Sequence, residues 1–386
     1  MRVGIDKINL AVPHHYIDMV ELAKTRGVDP DKFTIGIGQD RMSYALPNED
    51  AIAMAANAAE PILTSEDKEQ IDQVIFATES GVDYSKSGAT FLMELLGIQP
   101  FARAFEIKQA CYGATAGLLN ACDYVALRPD RKVLIIASDI AKYGLNTGGE
   151  VTQGAGAVAM LVSANPQLLN IERETVAKSY NEHDFWRPND QPYPLVDGKY
   201  STELYIQMFH EVLAEMIQRY PDTVSQYQTL ICHTPFTKMG RKAMVAAQSQ
   251  LSEPWTSRID QWLERYDASV RLNRQVGNIY TGSLFLSLIS LLIHGDLHVH
   301  DKIGLFSYGS GAVAEMFTAE VVNPPLDMIA DLTIEQKLNQ REKLSIEDYE
   351  AVYDASLEDA SWQSLPTSSG FYLAEIKEGR RIYQSR

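Results

Sequence analysis

A short pattern of small residues occurs twice in this chain, about half its length apart. The first copy reads Gly154-Ala-Gly-Ala-Val-Ala-Met160, and the second reads Gly309-Ser-Gly-Ala-Val-Ala-Glu-Met316. A strand-like segment precedes each copy, so the spacing predicts a duplicated α/β unit in which each half is incomplete until it packs on the other. The boundary would fall near residue 165. Chance similarity between two small-residue strands is the alternative explanation.

Runs rich in β-branched residues alternate with helical patterns, which is typical of a mixed α/β fold. The pattern predicts strands at 73–78, 132–138, 157–162, 229–233 and 302–307. It predicts helices at 49–63, 114–127, 202–219, 282–294 and 333–356, the last with an acidic face. We therefore expect an α/β fold.

Cys111 lies between an apolar run and a series of small residues that open a helix, Cys111-Tyr-Gly-Ala-Thr-Ala-Gly117. This pattern predicts a tight strand-to-helix turn that places the sulfur at the helix N-terminus. The helix dipole and the free N–H groups there favour a thiolate and stabilise an oxyanion. The pattern indicates a nucleophilic cysteine; a small buried hydrophobic residue is the alternative.

The other two cysteines are assigned to the core. Cys122 lies in the body of the same predicted helix, roughly 16 Å from Cys111 along its axis, which is too far for a disulfide. Cys232 precedes His233 in a strand, so their side chains point to opposite faces. Three cysteines cannot all pair, and we expect reduced thiols.

His233 ends a predicted strand and precedes a proline-containing turn. Open α/β sheets bind ligands at this end of their strands; a structural histidine is the alternative. Lys238, Arg241 and Lys242 follow within about one helical turn, and such a cation cluster suits phosphate groups. An exposed helix face is the alternative for the cluster.

Glu79 follows another apolar strand and precedes a glycine. Desolvation at such a position raises a carboxyl pKa, which suits a general acid or base near neutral pH; helix capping or a loop hydrogen bond is the alternative. Asn278 precedes the small-residue helix at 282–294. It either caps that helix or joins Cys111 and His233 as the third member of a Cys/His/Asn set.

Two other patterns are weaker. His294, His298 and His300 lie near two aspartates, but the segment 295–301 is typical of a solvated polar turn rather than a metal site. The Gly154-x-Gly156 pair lacks the third glycine and the strand-to-helix context of a dinucleotide fingerprint. We predict neither a metal nor a nicotinamide cofactor.

The chain carries 51 Asp plus Glu against 34 Lys plus Arg, a formal net charge of −17. A field of this sign repels polyanions and anionic lipid surfaces, so general nucleic-acid binding is not expected. The longest apolar stretch, 284–293, contains two serines and is about half of a bilayer span. The N-terminus shows no signal-peptide pattern, and we expect a cytoplasmic protein without membrane contact.

Taken together, these motifs resemble the 3-hydroxy-3-methylglutaryl-CoA synthase family in its compact bacterial form. The resemblance runs from the N-terminus beyond residue 320, and any single motif would be weak. The motifs are ATESGVD (77–83), KQACYGATAGL (108–118), QGAGAVAML (153–161), YPLVDGKYS (193–201), CHTPFTKMGRKA (232–243), VGNIYTGS (276–283) and LFSYGSGAVAE (305–315).

The resemblance implies a thiolase-like fold of two pseudo-duplicated α/β halves in alternating helix and sheet layers, working as a homodimer. Residues 1–165 would carry Glu79 and Cys111, and residues 166–386 would carry His233 and Asn278 and end in an acidic helix. The implied roles are acylated nucleophile for Cys111, general acid/base for Glu79 and anchor of the second substrate for His233. The implied substrate contacts are Thr152, Ser201, Asn278 and Ser310, with Lys238 and Lys242 at the CoA moiety.

The implied reaction condenses acetyl-CoA with acetoacetyl-CoA and water in the mevalonate pathway of isoprenoid synthesis, through an acetyl-cysteine and without a cofactor. An initiating ketoacyl-carrier-protein synthase resembles the chain through Cys111, His233 and Asn278. Such an enzyme forms its carbanion by decarboxylation and needs no carboxylate base, so Glu79 separates the two hypotheses. A noncatalytic acyl-CoA-binding protein is the alternative of another class.

Overall fold

The computed structural model describes residues 1–329 and 334–386. The strands are β1 Val3–Ala11, β2 His15–Asp18, β3 Arg41–Tyr44, β4 Ile71–Ala77, β5 Arg103–Ile107, β6 Lys132–Ala141, β7 Gly154–Ala164, β8 Leu169–Ser179, β9 Phe185–Trp186, β10 Leu195–Val196, β11 Tyr227–Cys232, β12 Lys302–Gly309, β13 Val313–Val321, β14 Glu342–Lys343, β15 Phe371–Lys377 and β16 Arg380–Ser385.

The helices are α1 Met19–Thr25, α2 Ala51–Ala59, α3 Ser65–Gln70, α4 Gly88–Leu95, α5 Gly113–Leu127, α6 Gly198–Arg219, α7 Pro221–Ser225, α8 Met239–Gln248, α9 Trp255–Glu264, α10 Tyr266–Val270, α11 Asn273–Val276, α12 Ser283–His294, α13 Pro325–Met328, α14 Ile334–Gln340 and α15 Ile346–Val352. A π-helix spans Lys32–Ile37, and 3-10 turns span Glu60–Ile62, Glu150–Thr152 and Tyr280–Gly282.

The main sheet repeats one pairing pattern in the two parts of the chain. Its order is β11-β12-β13-β8-β1-β7-β6-β4-β5. In the first part β7 is antiparallel to β1 and β6, and β6 is parallel to β4. In the second part β13 is antiparallel to β8 and β12, and β12 is parallel to β11. The predicted α/β duplication is therefore confirmed, with β7 matching β13.

Helix and sheet layers alternate through the molecule. The central layer contains α5 and α12, whose side chains share one core with inner faces of both parts of the sheet. The opposite face of the first part packs on α2 and α4. The opposite face of the second part packs on α6, α8 and α9. Each part of the sheet is thus buried on both faces, which is the usual condition of parallel strands.

The sequence of β6 shows how one strand serves two layers. Val133 and Ile135 face the central layer, and Leu134 and Ile136 face the outer one, as a side-chain period of two requires. The central helix α12 is apolar all round because it is surrounded by protein. Within residues 1–329 and 334–386, no helix combines the length and the apolarity that a membrane crossing requires.

The five predicted strands and the first four predicted helices are present. The predicted helix at 333–356 is wrong. Residue 333 lies outside the described residues, and the rest of the segment forms α14, β14 and α15. The helix breaks because two of its backbone N–H groups, those of Glu342 and Leu344, donate to the carbonyl oxygens of His14 and Tyr16. The chain ends in the β15–β16 hairpin and not in an acidic helix.

Candidate active site

Glu79 and Cys111 lie just beyond the carboxyl ends of neighbouring strands, β4 and β5. Because these strands are parallel, their ends meet at one edge of the sheet. There the Cys111 thiol donates a hydrogen bond to the Glu79 carboxylate, with 3.2 Å between Sγ and Oε1. Both side chains are partly exposed, so a substrate can reach them.

The backbone around Cys111 forms the predicted tight turn. Ala110 has a left-handed φ of 43°, and α5 begins two residues after the cysteine. Gly309, at the end of β12, packs directly against this turn. A Cβ atom at residue 309 would lie 2.6 Å from the backbone nitrogen of Tyr112 and 2.7 Å from the carbonyl oxygen of Gln109. Only glycine allows this close approach between the two parts of the chain.

The predicted lowering of the Cys111 pKa is wrong. Burial, followed by the neighbouring Glu79 carboxylate, raises the pKa of this thiol well above its usual range. Cys111 precedes the N-cap of α5, and at this position the helix dipole is outweighed by desolvation and nearby negative charge. The candidate nucleophile therefore rests as a thiol, and the Glu79 carboxyl group, once ionised, is in position to accept its proton.

The carboxylate of Asp139, on β6, supports the backbone at Glu79. It is fully buried and accepts hydrogen bonds from the Glu79 N–H at 2.7 Å, from Thr78 at 2.9 Å and from Ser80 at 3.0 Å. The hydroxyl and N–H of Thr281 donate to its other oxygen. Burial, and secondarily the charge of Asp139, raises the pKa of Glu79 to about 8. Glu79 can therefore exchange a proton near neutral pH.

His233 follows β11, which pairs in parallel with β12, the strand whose end packs on the Cys111 turn. The backbone N–H of His233 donates to the carbonyl oxygen of Phe306. The hydroxyl of Tyr205 donates to the carbonyl oxygen of His233. The ring is 1% exposed, and its Nδ1 has no hydrogen-bond partner. Burial lowers the pKa of His233 to about 3, so the imidazole is neutral. Cys232 packs in the core, as predicted.

Asn278 is not the N-cap of α12, because that position belongs to Gly282. The Asn278 side-chain oxygen accepts hydrogen bonds from the Tyr280 N–H and the Ser283 hydroxyl, at 2.9 and 2.8 Å. Its Nδ2 donates to the Tyr143 hydroxyl at 3.2 Å. Burial is the main reason that the pKa of Tyr143 is raised, and the charges of Cys111 and Glu79 add to it. Asn278 thus contacts a tyrosine that borders the Cys111–Glu79 pair.

Ser201 and the turn at Ser310 meet at a second buried carboxylate, Asp184. The Ser201 hydroxyl donates to Asp184 at 3.1 Å, and the Tyr308 hydroxyl donates to it at 2.8 Å. The N–H of Gly311 donates to the other carboxylate oxygen at 3.0 Å. Asp184 also contributes to the raised pKa of Cys111. The backbone oxygen of Ser310 accepts a hydrogen bond from the Gln109 side chain at 3.4 Å, beside the Cys111 turn.

Thr152 and the two lysines lie at the margin of this arrangement. The Thr152 carbonyl oxygen accepts the N–H of Asn278 at 3.4 Å. Lys238 immediately precedes α8, and Lys242 lies one turn further on, with its ammonium 4.8 Å from the centre of the Phe236 ring. The Lys238 side chain lies beside Gly38, where a Cβ would be 3.2 Å from its Cγ. The lysines thus lie at the start of α8, the helix that follows His233 in the chain.

Sequence reasoning missed several residues of this site. Asp139 could have been found from the sequence, since a carboxylate inside the apolar run of β6 is unusual and indicates a buried polar contact. No sequence pattern marks the other three, Asp184, Tyr143 and Arg187, because they lie in polar or irregular segments. Arg187 donates a hydrogen bond to the carbonyl oxygen of Glu79. Away from the site, the 295–301 segment forms the predicted polar turn between α12 and β12.

Comparison with known proteins agrees with this geometry. Residues 1–167 match the family model for the hydroxymethylglutaryl-coenzyme A synthase N terminal, and residues 170–253 and 255–385 match that for the C terminal. A hydroxymethylglutaryl-CoA synthase from Enterococcus faecalis is 51% identical over 386 residues, covering 100% of both chains. The chain belongs to the hydroxymethylglutaryl-CoA synthase family. A polyketide biosynthesis 3-hydroxy-3-methylglutaryl-ACP synthase from Bacillus subtilis (strain 168) is 33% identical and covers 99% of this chain and 98% of its own.

Solved structures of the family superpose over the whole chain. An HMG-CoA synthase complexed with CoA has a TM-score of 0.92 and 43% identity, covering 100% of both chains. A family structure in complex with 3-hydroxy-3-methylglutaryl coenzyme A has a TM-score of 0.88 and 35% identity, covering 100% of this chain and 99% of that one. The predicted thiolase-like fold is confirmed.

Proposed function

We propose that this protein condenses acetyl-CoA with acetoacetyl-CoA and water to give 3-hydroxy-3-methylglutaryl-CoA and CoA. The observation that carries the proposal is the 3.2 Å contact between the Cys111 thiol and the Glu79 carboxylate. A condensation of this type needs a nucleophile for the acyl group and a base for its methyl group, and here the two are adjacent. The relatives named above support this choice of substrates.

The first half-reaction transfers the acetyl group to sulfur. As the Cys111 sulfur attacks the acetyl-CoA carbonyl, its proton moves to Glu79. The same proton passes to the CoA sulfur when the carbon–sulfur bond breaks, leaving acetyl-Cys111 and a Glu79 carboxylate. The Cys111 N–H is our candidate donor to the oxyanion of the tetrahedral intermediate.

The second half-reaction forms the carbon–carbon bond. Glu79 removes a methyl proton from acetyl-Cys111, and the resulting enolate attacks the C3 ketone of acetoacetyl-CoA. Neutral His233, which has an unpartnered ring nitrogen, would donate a hydrogen bond to the developing alkoxide. The alkoxide is then protonated by Glu79, with the proton that Glu79 removed from the methyl group. Water then cleaves the thioester and restores the thiol. Every step balances with side chains and water alone, so the proposed reaction includes no metal or redox cofactor.

The remaining assignments belong to the same proposal. Lys238 and Lys242 would bind CoA phosphates, while Thr152, Ser201, Asn278 and Ser310 would border the acyl groups. Residues 1–165 and 166–386 would be the two duplicated halves. The protein would act in the cytoplasm, in the mevalonate pathway of isoprenoid synthesis. It would be a homodimer joined at the edge strand β5, where Phe105 is 38% exposed and Phe101, two residues before the strand, is 89% exposed.

The test separates the two half-reactions. Wild type, Glu79→Gln and Cys111→Ser are incubated with acetyl-CoA, and the mass of the peptide containing residue 111 is measured. Acetoacetyl-CoA is then added, and its enolate absorbance is followed. We expect Cys111→Ser to take up no acetyl group. Glu79→Gln should still be acetylated, though more slowly, because this half-reaction removes no methyl proton and only the thiol proton needs another acceptor. Its condensation should fall by about 10²-fold or more, because the base for the methyl group is missing.

Each rival predicts a different result. A decarboxylating carrier-protein synthase would consume a malonyl thioester, and Glu79→Gln would leave its condensation nearly unchanged. A noncatalytic acyl-CoA-binding protein would bind both thioesters without acetylating Cys111 or consuming acetoacetyl-CoA. Normal consumption of acetoacetyl-CoA by Glu79→Gln would contradict the role given to Glu79.

A further inference from the structure

Two adjacent histidines and a glutamate lie together in the small three-stranded sheet β14-β2-β3, apart from the nine-stranded sheet that carries the active site. The ligand atoms of His14, His15 and Glu342 all lie within 4.8 Å of one another. Among the residues that the structure describes, no other group of His, Cys, Asp or Glu side chains meets this condition. The function proposed above does not use these residues.

One ring nitrogen of each histidine in this cluster has no hydrogen-bond partner. His15 is 2% exposed, and its Nδ1 is buried without a partner. The Nε2 atom of His14 is also buried without a partner, 3.5 Å from a carboxylate oxygen of Glu342. Buried polar atoms normally find partners, so two such nitrogens beside one carboxylate need an explanation. A bound cation provides one, since it takes the lone pair of each group.

The backbone holds the three residues at this spacing. Glu342 lies opposite His15 in the parallel pairing of β14 with β2. The N–H of Glu342 also donates to the carbonyl oxygen of His14 at 2.9 Å. The spacing is therefore set by strand register and not by flexible side chains alone. The Glu342 side chain is 59% exposed, which leaves a path for an ion to enter from solvent.

The chemistry of the ligands selects the kind of ion. Two imidazole nitrogens and one carboxylate oxygen suit zinc, whereas magnesium and calcium prefer ligand sets made only of oxygen. Zinc bonds of about 2.0–2.2 Å place tetrahedral ligand atoms about 3.5 Å apart. The His14–Glu342 pair already has this spacing, and the remaining atoms need side-chain movements of about 1 Å.

We propose that His14, His15 and Glu342 bind one zinc ion that fastens strand β14 to strand β2. Water fills the fourth position of the tetrahedron. Ile334–Gln340 leads directly into β14, so the ion would also anchor α14 to the body of the protein. A ligand that binds only the folded chain stabilises it, and zinc should do so here.

The experiment measures zinc binding without any substrate, so its outcome is independent of the proposed condensation. Chelator-treated wild type is titrated with Zn²⁺ by calorimetry, with Mg²⁺ as the comparison ion. We expect one zinc per chain, no comparable magnesium binding, and a melting temperature that rises with zinc. Cobalt at the same site should show the intense visible absorption of tetrahedral Co²⁺.

Variants locate the ion. Glu342→Gln and His14→Gln change partly exposed side chains and should each weaken zinc binding at least tenfold. Glu347→Gln changes a nearby exposed glutamate, and His298→Gln changes an exposed histidine beside Asp301; both should bind as wild type does. Cys111→Ser should also keep the site. The proposal is overturned if wild type shows no micromolar zinc binding, or if binding is lost in one of these controls and kept in His14→Gln and Glu342→Gln.

Discussion

At the scale of single residues, the site depends on carboxylates placed where water cannot fully solvate them. Glu79 borders both the thiol of Cys111 and the carboxylate of Asp139. Burial raises the pKa of Asp139 as well, to about 6. Two neighbouring carboxylates of this kind resist being charged together, which adds to the raised pKa of Glu79. The pKa of Glu79 is thus raised in part by a carboxylate on another strand.

The pKa of Glu79 predicts the pH dependence of methyl-proton removal. The base must be ionised, and its pKa is raised, so exchange of the acetyl-Cys111 methyl protons with deuterium should increase with pH and level off above about 8. Asp139→Asn removes a negative charge and should move the inflection to lower pH. The exchange is measured by mass spectrometry. A wild-type inflection between pH 4 and 5 would contradict the assignment.

At the scale of elements, the site forms where strand ends from both parts of the chain meet. The turn before α5 presents Cys111, and the end of β12 packs on it through Gly309. Further contacts join the same elements: Thr115 on α5 donates to Ser307 on β12 at 2.8 Å, and the hydroxyl of Tyr112 donates to Glu315 on β13 at 2.5 Å. The Cys111 turn is therefore positioned by both duplicated units.

This contact predicts the effect of adding one methyl group. In Gly309→Ala the new Cβ would lie within 2.7 Å of the turn backbone, so the turn must move and Cys111 with it. Displacements of about 1 Å at a reacting group can cost about 10²-fold in rate, and we expect a loss of that order in acetylation. Gly198→Ala is the matched control, because its Cβ would meet no atom within 4 Å. Equal acetylation rates in both variants would contradict the argument.

The two lysines at the start of α8 allow a prediction about the binding of CoA thioesters. Lys238→Glu and Lys242→Glu should raise the KM for both CoA thioesters, and more strongly at low salt, because ions screen the attraction of lysine for phosphate. Arg131→Glu is the control, since Arg131 is an exposed cation at the opposite end of β6 from Asp139. KM values that match wild type across an ionic-strength series would remove the lysines from the CoA site.

At the scale of the whole molecule, the nine-stranded sheet has an edge strand with exposed apolar side chains. β5 lies at that edge, and exposed edges are normally covered or protected by charge. Pairing of β5 with its copy in a second protomer would cover it. We expect a dimer by light scattering, and a shift to monomer in Phe105→Lys. Val245→Lys, which changes an exposed apolar residue on α8, should stay dimeric. A wild-type monomer at micromolar concentration would contradict the dimer.

Periodicity and small-residue patterns were enough to predict five strands of the nine-stranded sheet and four of the helices packed against it. The alternation along β6 and the small residues after Cys111 are local properties, and local backbone preference follows from them. The helix predicted for 333–356 was wrong for a nonlocal reason. The segment around Glu342 pairs with β2, more than 300 residues earlier in the chain, and this pairing outweighs its helical pattern.

The sequence by itself determined the fold class and the duplication, and it predicted Glu79, Cys111 and His233 as candidate site residues, because these inferences depend on residue type and spacing along the chain. Only the tertiary structure decided the protonation states of these side chains. The raised pKa of Cys111 and the neutral state of His233 come from burial and from charges on other elements. The supporting carboxylates Asp139 and Asp184 reach the site only after the strands pair. A pKa depends on distance through space, and that distance exists only once the chain has folded.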